Sequence, residues 1–153
     1  MLEQLQLDRR LRLALDSLAF AEATAVQAEV IPAALAGADL RVSAETGSGK
    51  TLAYLVPMVE RLLNQTRQQE AGTLGLVLVP TRELARQVVK ECRALLSKTP
   101  LQVYGITGGA DFRYQQSLFR KNPEIIVATP GRLLEHCERG GADLAALQML
   151  VLD

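Results

Sequence analysis

Short apolar runs alternate along this chain with longer stretches in which apolar residues recur every third or fourth position. The short runs are Leu40–Ser43 (LRVS), Gly75–Val79 (GLVLV), Val103–Ile106 (VYGI), Ile125–Ala128 (IIVA) and Met149–Leu152 (MLVL). Most are apolar at consecutive positions and rich in β-branched residues, the pattern of strands buried on both faces. The longer stretches predict helices. Leu11, Leu15 and Leu18 follow a capping Asp8; Ala25–Ala36 ends at Gly37; Lys50–Asn64 contains Pro57, which predicts a kink; Arg82–Leu96, Phe112–Phe119 and Leu133–Arg139 complete the set. Strand and helix units in alternation predict an α/β fold with a mostly parallel sheet flanked by helices. Residues 65–73 and 98–102 read as loops.

With 153 residues, 48% of them hydrophobic, the chain is long enough to bury a core without disulfides or metals. Charged residues at 22%, with 11 Gly and 6 Pro, exclude a disordered or collagen-like polymer. Seventeen basic residues balance seventeen acidic ones, which argues against a polycation but leaves room for a local basic face. No apolar run approaches the ~20 residues of a membrane span, and the N-terminus (MLEQLQLDRR) is charged where a secretion signal is apolar, so a cytoplasmic protein without membrane association is expected. Cys92 and Cys137 are far apart, without a CxxC and with His136 as the single histidine; they predict ordinary thiols rather than a disulfide framework or a zinc site.

Chemistry enters at residues 44–51, AETGSGKT, directly after an apolar run and directly before a helical pattern. Ala44, Glu45, Thr46, Gly47, Ser48 and Gly49 form a loop whose glycines permit successive N–H groups to point inward, and the helix that follows adds its positive end. Lys50 brings a mobile cation to the terminal phosphates of a nucleotide, and Thr51 a hydroxyl suited to Mg2+. The strict phosphate-loop pattern has Gly where this chain has Ala44. Nucleoside triphosphate binding is therefore expected, although the loop alone does not separate a kinase, a transporter ATPase and a helicase.

Five further segments stand in the order and spacing of one family. FAEATAVQ (20–27), PTRELA (80–85), GG (108 and 109), TPGR (129–132) and the closing VLD (151–153), together with the phosphate loop, resemble the motifs of the DEAD-box ATP-dependent RNA helicases from near the start of the chain to its last residue. The resemblance implies that Gln27 reads the adenine edge of ATP while Phe20 and Thr24 shape its loop. Read from the residues, Thr24-x-x-Gln27 is also a capping box, and both roles can hold together. The family usually has an aromatic residue upstream, about where Leu2 stands. The resemblance further implies RNA-backbone contacts from Pro80, Thr81, Arg82, Gly108, Gly109, Thr129, Pro130, Gly131 and Arg132, with little sequence specificity. Read alone, PTRELA and TPGR are also ordinary helix starts. Asp153 resembles the first acid of the DEAD motif, holding Mg2+ with Thr51; Lys50, Thr51 and Asp153 are the implied catalytic set.

The implied fold is a RecA-like P-loop NTPase domain, incomplete at its C-terminus, with residues 1–36 as a helical region carrying the adenine motif and 37–153 as the ATP-binding part of one structural unit. The implied function is that of the first motor domain of an ATP-dependent RNA helicase, working with a second RecA-like domain absent from this chain. The competing readings are a non-catalytic nucleotide-binding fragment and a DNA-directed P-loop helicase.

Overall fold

The computed structural model describes residues 2–19, 22–65 and 72–153. They fall into two compact units, one of residues 1–65 with 94–100 and one of 66–93 with 101–153.

The first unit holds three helices: α1 (Arg9–Ser17), α2 (Ala25–Leu35) and α3 (Lys50–Leu63), after a 3-10 turn at Leu2–Gln4. Asp8 caps α1 by accepting from the Arg10 N–H at 2.9 Å, and that guanidinium holds the Asp8 carboxyl below the usual carboxylate range. The Asp8 N–H donates to Glu60 Oε2 of α3 at 2.8 Å, which satisfies an acid that is only 5% exposed. Leu11, Ala14 and Leu15 of α1 and Leu55, Met58, Val59 and Leu62 of α3 are buried at the helical spacing that their sequence predicts. α3 runs as one element through Pro57.

In the second unit four strands, β1 (Gly75–Leu78), β2 (Val103–Ile106), β3 (Ile125–Ala128) and β4 (Met149–Leu152), form an all-parallel sheet in the order β2-β3-β1-β4. The central strand β3 pairs on both sides and all four of its residues are 0% exposed, so an IIVA run is what the position demands. Side chains alternate between two layers. Leu76, Ile106, Ile126 and Ala128 form one core with Leu118 and Phe119 of α5 (Phe112–Phe119) and Leu133 of α6 (Pro130–Glu138). On the other face Gly105 lies against Val89 of α4 (Arg82–Leu96). Cys92 on α4 is 0% exposed and unpaired, and burial pushes its thiol up to about 12. We expect it to resist iodoacetamide at pH 8 for as long as the fold persists and to react at the unfolding rate in denaturant; stoichiometric labelling of the folded chain at Cys92 would contradict this burial.

One expected strand does not form. Residues 40–43 carry no ladder, and Leu40 and Val42 are 45% and 41% exposed. The hydrophobic pattern of LRVS records apolarity alone, whereas a strand exists only where a neighbour takes up its N–H and C=O groups. α6 also begins three residues earlier than its periodicity suggests, because Pro130 at its first position already has helical φ. Among the described residues no helix is long and apolar enough to cross a membrane.

Candidate functional site

Two groups of motif residues are assembled, one in each unit. In the first, the turn 46–49 leads into α3, with Gly47 at φ +82° and Gly49 at φ +90°. These left-handed conformations need glycine, and Gly49 needs it twice over. A Cβ there would lie 2.6 Å from Gln27 Nε2 and 2.9 Å from Thr24 Oγ1. The start of α2 is therefore docked directly on the loop. Thr24 Oγ1 accepts from the Gln27 N–H at 3.3 Å, Gln27 Oε1 accepts from the Thr24 N–H at 3.0 Å, and Gln27 Nε2 donates to the Gly49 carbonyl at 3.2 Å. The capping box predicted from sequence is complete. The same glutamine, 3% exposed, also ties it to the phosphate loop.

Lys50 folds its ammonium onto the Ala44 carbonyl. Ser48 Oγ is buried and has no hydrogen-bond partner among the described residues. An orphaned hydroxyl between two left-handed glycines, at the positive end of a 14-residue helix, suits a phosphate group. The residues present thus fit a nucleotide triphosphate. Phe20 lies outside the described residues.

In the second unit the parallel ladder aligns the other motifs along one edge of the sheet. Each of the segments 80–82, 108–109, 129–132 and 153 follows the C-terminal end of a strand, the edge where open α/β sheets bind ligands. Three bonds hold the strand ends level: Thr129 N–H to the Ile106 carbonyl at 3.1 Å, Val79 N–H to the Ala128 carbonyl at 2.9 Å, and Asp153 N–H to the Leu78 carbonyl at 2.9 Å. The order across the edge is 108–109, 129–132, 80–82 and then Asp153. Thr81 caps α4, its Oγ1 accepting from the Leu84 N–H at 3.2 Å. Thr129 makes no such bond at the start of α6, which leaves its hydroxyl and the first N–H groups of that helix for another acceptor.

Gly109 has φ +80°, and a Cβ there would lie 2.8 Å from Arg82 Cζ. Gly109 is thus explained by an arginine resting on it. Arg132 turns inward: its Nη1 donates to the Ala110 carbonyl at 2.8 Å and to Gln115 Oε1 at 3.1 Å. Gln115 and His136, two residues absent from the sequence-based site, complete this arrangement. Gln115 is 2% exposed, its Nε2 donates to the Thr107 carbonyl at 2.8 Å, and its Oε1 lies 2.9 Å from His136 Nε2. With the amide NH2 committed to Thr107, the oxygen faces the ring, so His136 carries its proton on Nε2. Burial, with Arg132 nearby, holds its pKa below the ordinary value of 6.5. Phe112 stacks on the imidazole at 4.1 Å and 4°.

The DEAD/DEAH box helicase model matches residues 24–153. The chain belongs to that family. It is 43% identical over 150 residues to the ATP-dependent RNA helicase SrmB of Escherichia coli (strain K12), covering 98% of this chain and 34% of SrmB. It is 46% identical over 141 residues to the ATP-dependent rRNA helicase RRP3 of Coccidioides immitis (strain RS), covering 92% and 29%. A solved structure titled as a hypothetical ATP-dependent RNA helicase from Sulfolobus tokodaii superposes with a TM-score of 0.84 at 35% identity, over 95% of this chain and 41% of that one. This helicase-family chain has the RecA-like architecture and spans about a third of the length of its curated relatives.

Proposed function

We propose that this chain supplies the ATP-binding and RNA-binding surfaces of the first of two RecA-like motor domains in a cytoplasmic ATP-dependent RNA helicase. The observation that carries this reading is the level row of strand ends, with Gly108–Gly109, Thr129–Arg132 and Pro80–Arg82 following adjacent parallel strands. Neighbouring strands are ~4.8 Å apart, so the row spans about 10 Å, room for two successive backbone phosphates. Its offerings are guanidinium, hydroxyl and main-chain N–H groups, all of which hold phosphates rather than read base edges.

ATP supplies a triphosphate whose cleavage drives the change of state. Toward it, Gly47 and Gly49 offer main-chain donors and Ser48 a free hydroxyl, and Lys50 leaves the Ala44 carbonyl to neutralise the terminal phosphates. Gln27 keeps one N–H and one lone pair beyond the hydrogen bonds it already makes, enough to meet an adenine edge. The Thr51 hydroxyl would help hold Mg2+, which adds charge neutralisation at the phosphates.

In the full-length protein, RNA-stimulated ATP hydrolysis is expected and should vanish with Lys50→Ala. Arg82→Ala should weaken all single-stranded RNA sequences alike and lower the slope of log affinity against log salt by about one counterion. A loss confined to some sequences, or stimulation by DNA and not by RNA, would overturn the assignment in favour of base readout or a DNA-directed motor.

A further inference from the structure

A second surface lies on the flank of β2 that faces α4 and reaches Thr107, just past the end of that strand. A groove of about 420 Å³ runs between this edge strand and α4. Ala85, Val89 and Gly105 line its floor, and Arg86, Lys90 and Arg93 stand along it on the exposed flank of the helix. The groove exists because residue 105 has no side chain: a Cβ there would already lie 3.3 Å from Val89 Cγ2.

The polar groups of the edge follow from the ladder. The Ile125 N–H donates to the Gln102 carbonyl and the Thr129 N–H to the Ile106 carbonyl, so residues 102, 104 and 106 turn their main-chain groups toward β3. Val103 and Gly105 therefore turn theirs away from β3; Val103 is buried, 4% exposed, and the half-buried Gly105 offers its N–H and C=O at the groove. Of the three cations, Arg86 shares an exposed contact with Glu83 at 3.6 Å, and neither Lys90 nor Arg93 has an ion-pair partner among the described residues.

We propose that this groove binds an extended acidic segment of a partner protein, which adds a fifth strand beside β2 and sets acidic side chains at alternate positions against Arg86, Lys90 and Arg93. The spacing agrees. Helical residues three and four apart are separated by ~4.5 and ~6 Å along the axis, and alternate residues of a strand by ~6.7 Å, a difference that long basic side chains absorb. Main-chain pairing supplies affinity and the alternate positions supply selectivity.

Two other occupants are disfavoured by the same chemistry. Phosphate oxygens only accept hydrogen bonds, so an RNA backbone meets the Gly105 carbonyl only through a 2′-hydroxyl, and among the described residues no aromatic side chain lines the groove for base stacking. A second copy pairing through its own β2 would bring two basic rims together, the usual device by which edge strands avoid self-pairing.

The test uses this chain and a fluorescent peptide of alternating Asp and Val, about six residues long, followed by anisotropy. Saturable binding is expected, reduced about tenfold or more by the exposed triple variant R86E/K90E/R93E, which should in turn accept a Lys and Val peptide. N-methylation of one alternate set of peptide amides should abolish binding, and methylation of the other set should leave it intact. The proposal is overturned by any of these results: no saturable binding, equal affinity for the charge-reversed chain, equal tolerance of both methylation patterns, or displacement of the peptide by poly(U) RNA.

Discussion

Gly49→Ala in the full-length protein is expected to lower nucleotide affinity about a hundredfold, the combined result of two separable penalties. The first is conformational. Gly49 sits at φ +90°, where a residue with a Cβ is less stable by ~1–2 kcal/mol, close to tenfold in an equilibrium constant. The second is steric: the new Cβ would stand 2.6 Å from Gln27 Nε2, whose amide is 3% exposed and joined to both the Gly49 carbonyl and the Thr24 N–H. Moving that amide sacrifices hydrogen bonds worth ~1 kcal/mol each. The loop escapes both penalties by abandoning the arrangement that cradles phosphate, so affinity falls by the fraction of molecules that retain it. A double-mutant cycle separates the two. In a Gln27→Ser background the shortest contact is gone and only the 2.9 Å approach to Thr24 Oγ1 remains, so Gly49→Ala should cost clearly less than a hundredfold. Titration with a fluorescent ATP analogue reads all four proteins; equal losses in both backgrounds would show that Gln27 does not press on the loop.

Much of this architecture was legible because parallel strands announce themselves as unbroken apolar runs, although β4 is not buried on both faces as its composition suggests: Leu150 and Leu152 are 52% and 74% exposed. GLVL, VYGI, IIVA and MLVL all fall where their composition places them. LRVS has a similar composition and stays unladdered, since pairing depends on a neighbour that local pattern cannot reveal. The phosphate loop was readable for a different reason: glycine, lysine and threonine at fixed offsets have few other uses together, and the left-handed Gly47 and Gly49 supply the physical ground. The reason for Gly109 was not readable, because it lies in Arg82, 27 residues earlier, which rests against it. Gln115 and His136 gave little sign. Each occupies a helix position where a polar residue is unremarked, and only the three-residue step from Leu133 to His136 hints that the histidine points inward. Their partnership joins two helices and the end of a strand, a relation that no spacing encodes.

That partnership sets the second large effect. Gln115→Leu is expected to destabilise the fold by ~2–5 kcal/mol, because it removes in one change the acceptor for His136 Nε2–H and one acceptor of Arg132 Nη1, and the donor for the Thr107 carbonyl, around a site 2% exposed. His136→Leu should cost less, since Gln115 Oε1 keeps Arg132 and the apolar side chain can pack on Phe112. The two variants differ most in their response to acid. The pKa of His136 is lower in the fold than in the unfolded chain, so between those two values the unfolded state binds the extra proton. The contribution of neutral His136 is complete above about pH 6.5 and is lost as the pH falls below it, by at most ~1.4 kcal/mol per pH unit. Urea denaturation of the wild type from pH 7.5 to 5 should show this decline, and His136→Leu should remove it while lowering stability at pH 7.5. RNA affinity supplies an independent reading. Arg132 is anchored between Ala110 and Gln115, so Gln115→Leu frees it and loosens the 108–110 turn, and binding should weaken under conditions where the variant is fully folded. A Gln115→Leu protein that stays as stable as the wild type, or a His136→Leu protein with an unchanged acid slope, would show that the buried bonds are dispensable.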